Sequence, residues 1–258
     1  MKIAITGKGG VGKSTISAAL CKSFAERGYR VLAVDADPDE NLALALGMDA
    51  KTASTITPIS EAKDLVEERT GAKPGTFGGT FKLNPKVDDI PEKYARDFNG
   101  IKVLVMGSVD AGDSGCVCAE HVLLRRLTSH LILREKDVVI MDMEAGIEHL
   151  GRGTASAVDA FITVVEPGER SIQTFARVKK LASDLGVNKV MVIANKITDA
   201  DDEAYVEKQV GTENLLGFIY YDKQISLSDR ENTSAYEASP VLKDSINQIV
   251  EKLISRIK

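Results

Sequence analysis

The sequence predicts an α/β fold: a doubly wound, mostly parallel sheet flanked by helices and entered through a phosphate-binding loop. Three observations point there. Short β-branched runs alternate with longer helical patterns along the chain. Several of those runs are apolar almost throughout, as in Val138-Val139-Ile140-Met141, the pattern of strands covered on both faces. The first run leads directly into Gly7-Lys8-Gly9-Gly10-Val11-Gly12-Lys13-Ser14-Thr15, a glycine-rich loop that opens onto a helical pattern. In open sheets of this kind, ligands sit at the carboxyl ends of the strands.

Strands are expected at Lys2–Thr6, Arg30–Val34, Ile101–Met106, Asp137–Met141, Ala160–Val165, Lys189–Ala194 and Leu216–Tyr220. Helices are expected at Lys13–Arg27, Ile59–Thr70, Ala119–Leu131, Arg170–Leu185, Ala200–Val210 and Pro240–Ile257. The last sets Leu242, Ile246, Ile249, Val250, Leu253 and Ile257 on one helical stripe. The stretch Lys51–Gly100 differs, with Lys73-Pro74-Gly75 and Asn84-Pro85 interrupting a weak periodicity. It reads as an irregular excursion, at about 51–100, within one domain spanning residues 1–258. There is no internal repeat and no low-complexity tract.

Composition narrows the setting. The chain has 258 residues, 43% hydrophobic and 28% charged, the balance of a water-soluble globular protein. No apolar run approaches the ~18 residues a membrane span needs. Met1-Lys2 passes straight into a strand pattern with no apolar leader, so no export is expected. Three cysteines are too few for a disulfide scaffold, which makes a reducing cytoplasm the expected location. Net charge is −5, from 38 acidic and 33 basic residues, which argues against a nucleic-acid partner.

Gly7–Thr15 fits G-x-x-x-x-G-K-[ST] between a strand and a helix, the context this motif requires. Backbone N–H groups of Gly9, Gly10, Val11 and Gly12, with the helix start at Lys13, Ser14 and Thr15, would cradle phosphate oxygens. Lys13 would reach the β- and γ-phosphates of ATP or ADP, and the Ser14 hydroxyl would ligate Mg²⁺.

Lys8 is an additional lysine that the loop does not need for its own nucleotide. With it, the motif resembles the deviant Walker A ATPases, the class of MinD, ParA and the nitrogenase iron protein, and so implies a MinD-like P-loop NTPase fold. The resemblance implies that Lys8 reaches the nucleotide of a second subunit in an ATP-dependent homodimer. Asp35 and Asp37 end the run Val31-Leu32-Ala33-Val34. By the same resemblance Asp37 would orient or activate the attacking water, and Asp35 would lie near the Mg²⁺ shell. Capping of the following turn is the other reading of both. Asp142 ends Val138–Met141 and looks like a Walker B carboxylate holding Mg²⁺ through water, with Gly146 near the γ-phosphate. Glu144 stands where MinD-like relatives often carry Pro or Gly. Asn195, in Asn195-Lys196, resembles the base-contacting residue of the class. Tyr221-Asp222 lacks the proline usual on that side.

The nucleotide motif does not say what the energy is used for. Cys116 and Cys118, in Gly115-Cys116-Val117-Cys118-Ala119, are the best candidates to say it. They lie at an expected helix entrance, where the dipole favours thiolate. One C-x-C supplies only two ligands of a tetrahedral site, and a two-fold dimer would bring four. Packing residues or a redox pair are the plainer readings. Thiolates suit several metals, so spacing alone does not choose one. Cys21, among Ala18, Ala19 and Leu20, reads as core.

The C-x-C, followed by Asp142–His149 and Gly151-Arg152-Gly153-Thr154-Ala155, closely resembles the CooC family. Its members are nickel-maturation ATPases for carbon monoxide dehydrogenase, with relatives serving acetyl-CoA synthase. The resemblance spans essentially the whole chain, including Asn84-Pro85-Lys86-Val87-Asp88. It implies a homodimer binding Ni²⁺, or Zn²⁺ in vitro, through Cys116 and Cys118 of both subunits, and release of that metal to a client on ATP hydrolysis. Two other functions of the class remain. A MinD- or ParA-like positioning ATPase would want a membrane-targeting tail or a basic surface. An iron–sulfur electron-transfer ATPase would want cysteines far apart in sequence.

Overall fold

The structure is a computed structural model describing residues 1–72, 82–107, 119–130, 134–144 and 158–257. Its strands are β1 (Lys2–Gly7), β2 (Arg30–Ala36), β3 (Arg96–Phe98), β4 (Ile101–Val105), β5 (Asp137–Met143), β6 (Ala160–Val165), β7 (Val190–Ile197) and β8 (Leu215–Tyr220). They form one sheet in the order β3-β4-β2-β5-β1-β6-β7-β8, and every pairing is parallel except β3 with β4. The seven strands expected from the sequence are all present, within a few residues of their expected ends.

The longer helices are α1 (Lys13–Glu26), α2 (Lys63–Thr70), α3 (Ala119–His130), α4 (Glu169–Asp184), α5 (Ala200–Val210), α6 (Lys223–Arg230) and α7 (Pro240–Ile257). They cover both faces of the sheet, which explains the unbroken apolar runs. Ile3, Ile5, Val31, Ala33, Val138 and Ile140 pack on one side with α1 and α7. Their sequence neighbours Ala4, Val34, Val139 and Met141 pack on the other with α3 and α4. This alternation is the two-residue period of a strand applied to a sheet buried on both faces. The α7 stripe is buried as expected at Leu242, Ile246, Ile249, Val250 and Leu253.

The helix expected at Ile59–Thr70 is divided at Ala62 into a 3-10 turn over Ile59–Glu61 and the helix α2. Two other departures concern a strand and a longer helix. The stretch 51–100 is not irregular at its end: Arg96–Phe98 folds back antiparallel on β4, pairing Phe98 with Ile101. The turn is Asn99-Gly100, both at positive φ (52° and 80°), as a two-residue type I′ hairpin demands. That dipeptide was the available signal. The second is α6, started by Asp222, whose carboxylate accepts from Gln224 N at 2.9 Å.

Candidate nucleotide site

β1 ends at Gly7 and the chain reaches α1 within the next few residues. Gly7 has φ 150°, and a Cβ there would stand 2.5 Å from the Val164 carbonyl oxygen on β6. Gly12 has φ 92°, and a Cβ there would stand 2.6 Å from Asn195 Nδ2. Only glycine permits this path between two strands. α1 begins without a side-chain cap and without an acidic residue in its first turn. Its free N–H groups and dipole are therefore left to an anion.

A cavity of about 870 Å³ opens over this helix start. Gly9, Gly10, Gly12, Lys13, Ser14 and Thr15 line one side, Asp37 and Glu144 the strand ends, and Asn195 and Tyr221 the far wall. Two expected loop residues behave differently. Val11 sends its side chain into the core, 1% exposed, and its carbonyl accepts from Asn195. Lys8 is exposed and stands outside the cavity lining.

Asp35 and Asp142 face each other as Cα partners of the β2–β5 ladder, both fully buried. Asp35 spends both oxygens on backbone N–H groups, Oδ1 on Asp37 at 3.2 Å and Oδ2 on Leu42 at 2.9 Å. It shapes the turn that presents Asp37. Burial pushes its pKa up to about 7, against the Leu42 hydrogen bond and with the Asp142 charge adding to the rise.

Asp142 Oδ1 accepts from Ser17 Oγ at 3.0 Å. Its Oδ2 is buried without a hydrogen-bond partner. Burial raises its pKa to about 6, opposed by the Ser14 and Ser17 hydroxyls and by Lys13. An unsatisfied buried carboxylate oxygen beside the Ser14 hydroxyl is a donor set that a hard divalent cation takes, so Ser14 and Asp142 fit Mg²⁺. Lys13, 8% exposed, places Nζ 3.7 Å from Asp37 Oδ2.

β7 loses its regular register with β8 between Ala194 and Ile197. The break turns Asn195 and Lys196 onto the loop. Asn195 Nδ2 donates to the Val11 carbonyl at 2.8 Å. Lys196, at φ 59°, donates to the Gly10 carbonyl at 2.9 Å and pairs with Glu166 at 2.5 Å. Sequence reasoning gave Asn195 to the base alone and gave Lys196 no task. Both hold the phosphate loop, and Asn195 also reaches the cavity wall. Asp222, where the class usually has proline, is engaged as the α6 cap and by Ser239 Oγ.

Cys116, Cys118, Gly146 and His149 lie outside the described residues, as does the side chain of His121. Among the described residues no cluster of three or more His, Cys, Asp or Glu side chains forms a metal site. No described helix is long and apolar enough to cross a membrane.

A glycine loop threaded between parallel strands, with cation donors at its base, defines a P-loop nucleotide-binding protein. The chain belongs to the CobQ/CobB/MinD/ParA nucleotide binding domain family, whose model matches residues 2–235. It is 48% identical over 257 residues to the carbon monoxide dehydrogenase accessory protein CooC of Rhodospirillum rubrum, covering 100% of this chain and 97% of that one. It is 49% identical over 232 residues to an uncharacterized ATP-binding protein of Methanocaldococcus jannaschii, covering 89% and 88%. Among solved structures it resembles the septum site-determining protein MinD of Pyrococcus horikoshii complexed with Mg-ADP. That match has a TM-score of 0.67 and 21% identity, and covers 100% of this chain and 98% of the other. The MinD likeness fixes the fold; the CooC likeness runs the length of the chain.

Proposed function

We propose that the chain is an ATP-driven metallochaperone for a nickel enzyme. As a single P-loop ATPase domain it binds Mg-ATP, pairs with a second copy, and hydrolyses ATP to ADP and phosphate. The observation that carries the reading is the 48% identity, end to end, with a carbon monoxide dehydrogenase accessory protein. That relative's name points to carbon monoxide dehydrogenase as the client, with acetyl-CoA synthase the other nickel enzyme the resemblance allows. Such a role places the chain in the cytoplasm.

Ni²⁺ is cargo in this reading, held at the dimer interface by Cys116 and Cys118 of both subunits. Four thiolates complete a tetrahedral site that one chain does not fill. Cys21 stays apart: it is fully buried, and burial drives its thiol pKa far above the ordinary range. Lys13 and Ser14 act on the phosphates and Mg²⁺, Asp142 on Mg²⁺, Asp37 on the attacking water, and Gly146 and Asn195 at the two ends of the nucleotide. Asp35 supports them from beneath by shaping the Asp37 turn.

Native mass spectrometry of the wild type and of the Cys116→Ser/Cys118→Ser variant, with nickel and with or without ATP, tests the reading. One Ni²⁺ per dimer that disappears in the variant is the expected result. An ATP-dependent dimer that takes up no nickel overturns it.

A further inference from the structure

Paired carboxylates rise in two steps along the carboxyl edge of the sheet. β2 and β5 run parallel with Asp35 opposite Asp142 and Ala36 opposite Met143. Residues two apart on a strand share a face. Val31, Ala33, Val138 and Ile140 belong to the core beneath α1, and Asp35 and Asp142 continue that face. Two residues further on stand Asp37 and Glu144, and both line the cavity with Lys13 and Ser14. The lower pair is buried and already employed, Asp35 on its turn and Asp142 at the cation donors. The upper pair opens to the cavity, Asp37 half-buried and Glu144 exposed. Thr6 Oγ1 donates to the Glu144 carbonyl at 3.1 Å, tying this residue to the strand end that starts the phosphate loop.

We propose that Glu144 is a second water-handling carboxylate of the hydrolytic site, working opposite Asp37. The proposal rests on the reading of the chain as an ATPase. A water has two protons to donate, and a carboxylate on each side accepts both. Its lone pair is then aimed at the γ-phosphorus, which is the positioning that phosphoryl transfer chiefly needs. Both carboxylates line one cavity, where a water between them gives one hydrogen bond of about 2.8 Å to each side. In the step itself the water oxygen bonds to the γ-phosphorus, and the bond from that phosphorus to the bridging oxygen breaks. The electron pair leaves on ADP, and the water's proton passes to a carboxylate and then to solvent.

The test compares wild type with Glu144→Gln and Glu144→Asp in single-turnover ATP hydrolysis, with ATP affinity measured beside it. Glu144→Gln is expected to hydrolyse about 100-fold more slowly while its ATP affinity stays within about threefold, and Glu144→Asp to recover part of the rate. A Glu144→Gln rate within about threefold of wild type overturns the proposal. A loss of affinity that matches the loss of rate overturns it too, by making Glu144 a binding residue. A wild type that hydrolyses no ATP removes the ATPase reading and this role together. Active wild type with an equally active Glu144→Gln removes this role alone.

Discussion

The Lys13 ammonium lies 3.7 Å from Asp37 Oδ2, with the two side chains only 9% and 14% exposed. The lysine that the motif assigns to phosphate is thus in contact with the carboxylate that the resemblance assigns to water. In the proposed ATPase cycle a triphosphate would compete for the lysine and leave the Asp37 charge to the water. Asp37→Asn should slow ATP hydrolysis by about 100-fold or more, since a positioned base is worth that much. Nucleotide affinity should hold or tighten, because the lysine loses a competing anion. Steady-state rates and a titration with a fluorescent ATP analogue measure the two quantities. An unchanged rate would show that Asp37 only balances the lysine.

The loop separates its glycines by what surrounds them. Gly7 is held at φ 150° with the Val164 carbonyl 2.5 Å from where a Cβ would sit, whereas nothing lies within 4 Å of a Cβ on Gly9. Gly7→Ala must move a strand backbone and adopt a strained conformation, costing about 1–3 kcal/mol for the strain alone. It should lower the thermal midpoint by on the order of 3–10 °C. Gly9→Ala should melt within about 2 °C of wild type. Equal midpoints for the two variants would mean the loop relaxes freely at Gly7.

How much of this was legible in the sequence varied with the kind of constraint. Period-two alternation and the P-loop spacing are local, and they placed the strands and the Lys13–Ser14 pair. The β3 hairpin was just as local, since Asn99-Gly100 announces it, but three residues between the short helix Ile90–Tyr94 and a turn offer no period to count. Lys196 was illegible for another reason. Its contact with Gly10 spans most of the chain and depends on a register break in β7, which no spacing records. Asp35 differs: capping of the following turn is one of its two sequence readings, and the hydrogen bonds it accepts from Asp37 N and Leu42 N show it taking that role. The reach across to Leu42 is not a spacing signal.

Away from the nucleotide, Asp89 Oδ2 accepts from Lys93 Nζ at 2.8 Å and from an Arg69 guanidinium nitrogen at 2.9 Å, joining α2 to the short helix Ile90–Tyr94. Lys93 first and Arg69 second hold its pKa well below the usual carboxylate range. A depressed acid stabilises the fold above its unfolded pKa and loses that contribution as pH falls through the folded value. The stability gap between wild type and Asp89→Asn should therefore be flat above about pH 5 and close below about pH 4. Denaturant midpoints across that range measure it, and a gap independent of pH would remove the charge as its cause.

Lys8 is exposed and outside the lining of its own cavity, although it sits one residue from Gly7 in the loop that forms the site. Its backbone carbonyl accepts from Val11 N at 3.4 Å, which holds the residue at the loop's outer turn. A cation held there adds little to binding in one chain, because solvent screens it. Facing the γ-phosphate of a second copy, with water excluded between the two, the same charge gains strength and favours pairing only when a triphosphate is present. Lys8→Ala should then keep ATP affinity within about threefold while losing the ATP-dependent dimer. Sedimentation with and without ATP separates the two effects. A variant that still dimerises with ATP would confine Lys8 to its own subunit, and a variant that loses ATP binding would make it an ordinary phosphate ligand.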